Sequence, residues 1–206
     1  MSTSSVEIDA LDGFLADRQK QLLALVCELV ATDSQIPPYA DERAIVGVLS
    51  QVMDQLGLPQ GEIIGPTPER PSLITRIPGS GGGRNLMLNG HVDTKPVGEA
   101  RHLWRTNPLD PQVIDGQMYG LGTNDMKAAV AAMVFAASAV QETGIELSGD
   151  LVLGFVADEE GGASEGSKFV APLLDGIDAA LIGEPSGWER DWQGTIWCLG
   201  EFAVFE

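Results

Sequence analysis

The sequence has few of the residues that build disulfide frameworks and cysteine-rich metal sites. It contains two cysteines, Cys27 and Cys198, which are separated by most of the 206-residue chain. A disulfide scaffold or a structural zinc knuckle needs paired or closely spaced cysteines, so this pattern argues against both. We expect two reduced thiols.

Basic residues are also scarce. The chain has 12 Lys and Arg against 30 Asp and Glu, which gives a formal net charge of -18. A surface this acidic repels phosphate backbones and anionic lipid headgroups, so we expect neither a nucleic-acid nor a membrane partner. The N-terminus has no apolar signal segment, and the longest apolar run, residues 128–137, is shorter than the roughly 20 residues of a membrane span. These features predict a cytoplasmic protein.

Apolar residues are plentiful at 44% of the chain, and their spacing predicts alternating helices and strands. Helices are predicted over residues 6–31, 40–56, 124–143 and 164–174. Buried strands are predicted over residues 72–77, 85–89, 150–157 and 179–182, and 195–205 also alternates like a strand. The alternation predicts a layered α/β domain.

Side chains that commonly bind metals follow the predicted strands. His91, Asp125, Glu159, Glu160 and Glu184 each lie at or just past a strand end, or at a helix start. Ligands of open α/β sheets bind beyond the carboxyl ends of the strands, so we expect these side chains to converge. One imidazole with several carboxylates suits a divalent ion such as Zn²⁺. Because a carboxylate can bridge two ions, the set favours a two-metal centre that shares an activated water.

Each of these motifs has a simpler interpretation when taken alone. His91 could be structural, Asp125 could cap a helix, and the pair Glu159–Glu160 could be a solvated loop. Glu184 could belong to a plain turn. Their order and their common position at strand ends favour the metal centre. A calcium site is disfavoured because the closely spaced loop oxygens that it needs are absent.

Four motifs resemble those of the zinc-dependent aminoacylase and carboxypeptidase family: HVDTKP at 91–96, GTNDMK at 122–127, DEEGG at 158–162 and GEP at 183–185. That family includes acetylornithine deacetylase and succinyl-diaminopimelate desuccinylase. The resemblance covers about residues 15–200 and includes the intervening Trp104 and NPLDP at 107–111. Leu121 and Ala128 depart from the usual Arg and Gly of the second motif.

The resemblance implies a role for each candidate residue. His91 and Glu184 would bind one zinc ion, Asp125 would bridge both ions, and Glu160 would bind the second; cobalt or manganese are alternatives to zinc. Asp93 would hold the other ring N–H of His91, and Glu159 would be the general base toward water. The peptide bond after Asp125 would be cis.

The resemblance also implies a fold and an activity. The fold would be a layered α/β/α catalytic domain with a central, mostly parallel sheet, truncated before the lid or dimerisation domain. Residues 1–190 would form the N-terminal part of the catalytic domain, and residues 191–206 would begin the lid. The activity would be hydrolysis of the amide bond of N-acyl amino acids or short peptides, by a homodimer joined through the lid.

The short length suggests an alternative to a complete enzyme. Members of the family take one histidine for the second ion, and another that stabilises the oxyanion, from segments beyond the length of this chain. His102, the only histidine besides His91, is expected to be a surface loop residue. The alternative is therefore a truncated, non-catalytic metal-binding half that needs a complementary chain, with an exposed sheet edge and an apolar patch.

Overall fold

The structure, a computed structural model, describes residues 4–185. The strand predicted at 195–205 and the predicted lid segment at 191–206 lie outside the described residues. No helix between residues 4 and 185 is both long enough and apolar enough to cross a membrane.

Four α-helices occur in the described part of the chain. They are α1 (Ser5–Ala31), α2 (Arg43–Gln55), α3 (Ala128–Glu142) and α4 (Ser167–Val170). Helix α1 begins in a capping box: the Glu7 N–H donates to Ser4 Oγ at 3.3 Å, and the Ser4 N–H donates to Glu7 Oε2 at 2.7 Å. Both exchanges satisfy N–H groups that have no partner within the helix.

Three helices are shorter than the sequence predicts, and α2 begins at Arg43 rather than at residue 40. The segment Thr123–Lys127 forms a π-type turn before α3, because Asp125 and Met126 have non-helical dihedral angles. The helix predicted at 164–174 is α-helical only over Ser167–Val170 and continues as a 3₁₀ turn over Ala171–Leu173. Pro172 in that turn has no N–H for an α-helical hydrogen bond.

The central sheet has five strands: β1 (Glu62–Ile64), β2 (Ser72–Ile77), β3 (Leu86–His91), β6 (Leu151–Val156) and β7 (Ala179–Ile182). Their order across the sheet is β1-β2-β6-β3-β7. Strand β3 is parallel to both β6 and β7, whereas β2 is antiparallel to both β1 and β6. Four strands therefore run in one direction, and the expected α/β fold with a mostly parallel sheet is confirmed. A separate hairpin pairs β4 (Gln112–Ile114) with β5 (Gln117–Tyr119).

Helices α1 to α3 pack on one face of this sheet. Leu88 of β3 and Leu153 of β6 are register partners, so their side chains lie on the same face. Both belong to a buried cluster with Leu29 of α1, Ile45 of α2 and Val134 of α3. Arg76 lies on the opposite face and donates to the Asp175 carbonyl at 2.9 Å, so the connection from β6 to β7 crosses that face.

Strand β7 lies at an edge of the sheet as described. Within residues 4–185 it pairs with β3 alone. Leu181 and Ile182 are 56% and 40% exposed, so apolar side chains remain accessible here within the described chain.

Candidate metal centre

Three neighbouring parallel strands bring the candidate ligands to one edge of the sheet. His91 is the last residue of β3, Glu159 and Glu160 follow β6, and Glu184 follows β7. Asp125 comes from the turn that precedes α3. Because the carboxyl ends of parallel strands lie at the same edge, these five residues converge although they span 94 positions of the sequence, from 91 to 184.

His91 lies at the middle of this group and is only 1% exposed. Its Nε2 is 3.0 Å from Asp125 Oδ1, 3.4 Å from Glu184 Oε1 and 3.9 Å from Glu159 Oε2. The carboxylates are partly exposed, so they lie between the buried imidazole and solvent.

Two sets of three donors in the described chain are close enough to hold an ion. In each set, His91–Asp125–Glu184 and His91–Glu159–Glu160, the donor atoms lie within 4.8 Å of one another. Asp125 and Glu160, which the sequence pairs at a second ion, fall into different sets, and His91 is common to both. The structure thus brings all the predicted ligands together but does not group Asp125 with Glu160.

Burial and neighbouring charges shift the pKa values of three residues of this group, Glu184, Glu159 and His91. Burial and neighbouring carboxylates raise the pKa of Glu184 to about 7, and burial also raises the pKa of Glu159. Burial alone would lower the pKa of His91, but Asp93, Glu184 and Asp125 outweigh it and raise this pKa to about 9. In residues 4–185 no Lys or Arg forms an ion pair with Asp125, Glu159 or Glu184. The nitrogen and oxygen donors and the negative field of the site fit a divalent cation.

Asp93 supports this group from beneath and is fully buried. Its backbone carbonyl lies 3.0 Å from His91 Nδ1, closer than its carboxylate at 3.4 Å. A proton on Nδ1 would leave Nε2 free to bind a cation. The Asp93 carboxylate accepts hydrogen bonds from the N–H groups of Glu159, at 3.2 Å, and Glu160, at 3.0 Å. Asp93 therefore orients the imidazole and also holds the turn that carries Glu159 and Glu160, the acidic turn.

The turn that carries Asp125 packs closely on the sheet. The peptide bond between Asp125 and Met126 is cis, as the resemblance implies. Met126 is fully buried, and the His91 N–H donates to its sulfur at 3.2 Å. A Cβ at Gly90 or Gly183 would lie 2.8 Å or 3.0 Å from Met126 Cε. Glycine at these two positions therefore allows the turn to approach the ends of β3 and β7.

Several residues that contact the site or its supporting turn were not predicted from the sequence. Lys95 lies within the first motif and forms an ion pair with Glu160 Oε2 at 3.1 Å, a contact that its position in HVDTKP could have suggested. Arg70 and Glu42 form a buried ion cluster with Asp158, but both lie outside every motif. His102 is exposed in the 3₁₀ helix Gly98–Leu103 and belongs to neither set of donors.

Comparison with known proteins identifies relatives that are similar to parts of this chain. Succinyl-diaminopimelate desuccinylase of Xanthomonas oryzae pv. oryzae is 42% identical over 109 residues, which cover 51% of this chain and 29% of that protein. N-formyl-4-amino-5-aminomethyl-2-methylpyrimidine deformylase of Halalkalibacterium halodurans is 30% identical over 191 residues, which cover 92% of this chain and 44% of the deformylase. The chain thus spans less than half the length of these curated relatives.

Solved structures show the same fold. Human carnosine dipeptidase 1 superposes with a TM-score of 0.70 at 18% identity, over 88% of this chain and 41% of the dipeptidase. The Bacillus subtilis YXEP protein, described as a dinuclear metal binding peptidase from the M20 family, gives a TM-score of 0.55 at 19% identity, over 79% of this chain and 42% of that protein. Residues 87–195, more than half of the chain, match the peptidase family M20/M25/M40. The chain therefore belongs to the peptidase family M20/M25/M40.

Proposed function

We propose that this chain supplies metal ligands and the general base of a two-zinc hydrolase that cleaves the amide bond of N-acyl amino acids or short peptides. The observation that carries the proposal is the convergence of His91, Asp125 and Glu184, with His91 Nε2 3.0 Å and 3.4 Å from the two carboxylates. The names of the two relatives, a desuccinylase and a deformylase, support removal of an acyl group. The dipeptidase of similar fold supports the peptide alternative.

His91, Asp125 and Glu184 would hold one zinc ion, and Glu160 would bind a second ion that Asp125 also contacts. The dinuclear description of the Bacillus subtilis protein supports a pair of ions. Cobalt or manganese would also suit these donors. Bound zinc would polarise the scissile carbonyl and lower the pKa of water.

Glu159 would act as the general base. Its side chain is 45% exposed and faces the group 3.9 Å from His91 Nε2, so solvent and substrate can reach it. Burial raises the pKa of this carboxyl, which brings it closer to the pKa that suits proton transfer near neutral pH. Glu159 would take a proton from the attacking water and deliver it to the nitrogen of the leaving amine. Asp93 would keep Glu159 in place through the Glu159 N–H.

The family resemblance further supports a homodimer, and the sequence features described above support a cytoplasmic location, as parts of this proposal. Dimerisation would use the lid domain of the family. The oligomeric state is separate from the ligand geometry, and sedimentation of the purified protein measures it.

Turnover of N-succinyl, N-formyl and N-acetyl amino acids and of dipeptides by the purified chain at saturating zinc tests the proposal. We expect hydrolysis that falls by roughly 10²–10⁴-fold in Glu159→Gln, with unchanged zinc content, because the general base is lost while the ligands remain. Glu142→Gln, at an exposed carboxylate at the end of α3, is the control and should keep full activity. Zinc binding without turnover would support the non-catalytic half instead, and a chain that binds no zinc would contradict both.

A further inference from the structure

A buried ion cluster lies behind the pair Glu159–Glu160 and contains none of the candidate ligands. Arg70 is its centre and is 4% exposed. Arg70 Nη1 lies 2.7 Å from Glu42 Oε1, and Arg70 Nη2 lies 2.5 Å from Asp158 Oδ1. Glu42 is fully buried, and the Asp158 side chain is only 8% exposed. The cluster thus joins three segments that are distant in sequence, just before α2, just before β2 and just after β6.

Asp158 connects the cluster to the acidic turn. Its φ of 59° is left-handed, and its backbone carbonyl accepts hydrogen bonds from the N–H groups of Gly161 and Ala163. Its second carboxylate oxygen accepts hydrogen bonds from the Glu165 N–H at 2.9 Å and Ser164 Oγ at 3.3 Å. Asp158 therefore closes the loop in which Glu159 and Glu160 are the next two residues.

The ion cluster fixes the geometry of the turn more than it adds to the free energy of unfolding. Buried ion pairs often contribute no more than apolar residues of the same volume, because charges lose their hydration. Arg70 also has a third carboxylate nearby, because Glu165 Oε2 lies 3.2 Å from its Nε. An Arg guanidinium that faces several carboxylates, however, fixes direction as well as distance. Glu42 balances the charge of Arg70 at 2.7 Å and also accepts a hydrogen bond from the Asp158 N–H at 3.4 Å.

Asp93 holds the same turn from the other side. It accepts the N–H groups of Glu159 and Glu160, whereas Arg70 holds the carboxylate of Asp158, the residue before them. The backbone of the acidic pair is thus fixed at both ends, on one side by Asp93 and on the other by the Arg70 cluster.

We propose that Arg70 is a positioning residue. Acting through Asp158 and balanced by Glu42, it sets the direction in which the side chains of Glu159 and Glu160 face His91. The consequence for metal binding and catalysis rests on the proposed function, but the effect on the turn does not. Loss of the Arg70 fork would leave every ligand in the chain and still weaken the set His91–Glu159–Glu160.

Arg70→Lys tests the proposal because it keeps the positive charge but removes the planar guanidinium, whose two Nη groups contact Glu42 and Asp158. Arg76→Lys is the matched control: Arg76 lies on β2, pairs with Asp150 at 2.8 Å, and is far along the strand from the turn. Three readouts are needed for each variant: hydrogen exchange at the amides of residues 159–165, titration with Co²⁺ followed by its visible absorption spectrum, and kcat and KM separately.

We expect Arg70→Lys to speed exchange of the Glu165 amide by at least about tenfold and to weaken Co²⁺ binding by roughly 10–100-fold, as for other residues that orient ligands. The Co²⁺ spectrum should change, and kcat should fall more than KM rises, because the base and a ligand are displaced while other substrate contacts remain. Arg76→Lys should match the parent in all three. Parent-like exchange and Co²⁺ binding in Arg70→Lys would overturn the proposal, even if turnover fell.

A second variant keeps the test decisive if circular dichroism shows that Arg70→Lys does not fold. Asp158→Asn has almost the same volume but removes the charge that Arg70 contacts, and we expect the same faster exchange and weaker Co²⁺ binding. Parent-like values in Asp158→Asn would overturn the proposal. If the parent chain binds no Co²⁺, the proposed function fails, and exchange at residues 159–165 alone decides whether Arg70 positions the turn.

Discussion

Lys127 is a buried cation two residues beyond Asp125, and it ties the turn of the metal centre to helix α1. It is 1% exposed, and its Nζ donates to the carbonyls of Leu29 at 2.8 Å and Thr32 at 3.0 Å. Carbonyls at a helix C-terminus have no partner within the helix, so this contact caps the end of α1. We predict that Lys127→Met changes how the stability of the chain depends on pH.

The sign follows from the pKa of Lys127, which burial lowers from 10.5 to about 8. Between these values the unfolded chain binds more protons at this lysine than the folded chain. The contribution of Lys127 to the free energy of unfolding is therefore lowest below pH 8 and rises as pH increases toward 10.5. The difference between the two pKa values corresponds to about 3 kcal/mol.

Urea unfolding of the metal-free chain between pH 7.5 and 10.5 measures this effect. The free energy of unfolding of the parent minus that of Lys127→Met should increase by about 3 kcal/mol across the range, because other titrating groups cancel in the difference. Lys20→Met, at an exposed lysine of α1, should show no such change relative to the parent. If the difference between parent and Lys127→Met stays constant with pH, burial does not lower the pKa of Lys127 in the folded chain.

Three further predictions concern the site and its support. Lys95→Gln should tighten zinc binding, measured by calorimetry, because it removes a cation that competes with the metal for Glu160. The gain should be no more than about fivefold, since Lys95 is 62% exposed and exposed ion pairs contribute little. Weaker zinc binding in this variant would contradict the prediction. Gly166→Ala should lower the free energy of unfolding by about 1–3 kcal/mol or more, since its Cβ would lie 1.6 Å from the Ala157 carbonyl oxygen, and an unchanged thermal midpoint would contradict it. Phe155→Ala, at a fully buried position of β6, should cost about 3–5 kcal/mol in urea unfolding, and a loss below about 1 kcal/mol would count against the described core.

The longer elements follow from local sequence patterns. Strands β2 and β7 have the predicted bounds because apolar runs between turn residues mark them, and α1 begins within one residue of its prediction. Strands β1, β4 and β5 are three residues each, too short for alternation to be visible. The helix predicted from residue 124 begins at Ala128, because Asp125 and Met126 have the non-helical backbone of the turn that carries Asp125 to the site.

The candidate ligands can be predicted from the sequence, whereas the buried charged residues that hold the turns of the site in place cannot. His91 and Glu184 lie in short motifs at strand ends, and strand direction alone brings them together. Arg70 contacts Glu42 and Asp158 across 28 and 88 positions, and no local pattern records such pairing. The burial of Lys127 likewise depends on α1, which is about a hundred residues earlier in the chain.

The zinc content of the purified chain, measured after dialysis against trace zinc at neutral pH, tests whether a metal centre forms at this edge of the sheet. We predict at least one tightly held zinc ion per chain in the parent and its loss in His91→Ala, because both sets of donors include His91. His102→Ala, at the other and exposed histidine, should retain the zinc content of the parent. A parent chain without zinc, or His91→Ala with undiminished zinc, would contradict a metal centre at this edge of the sheet.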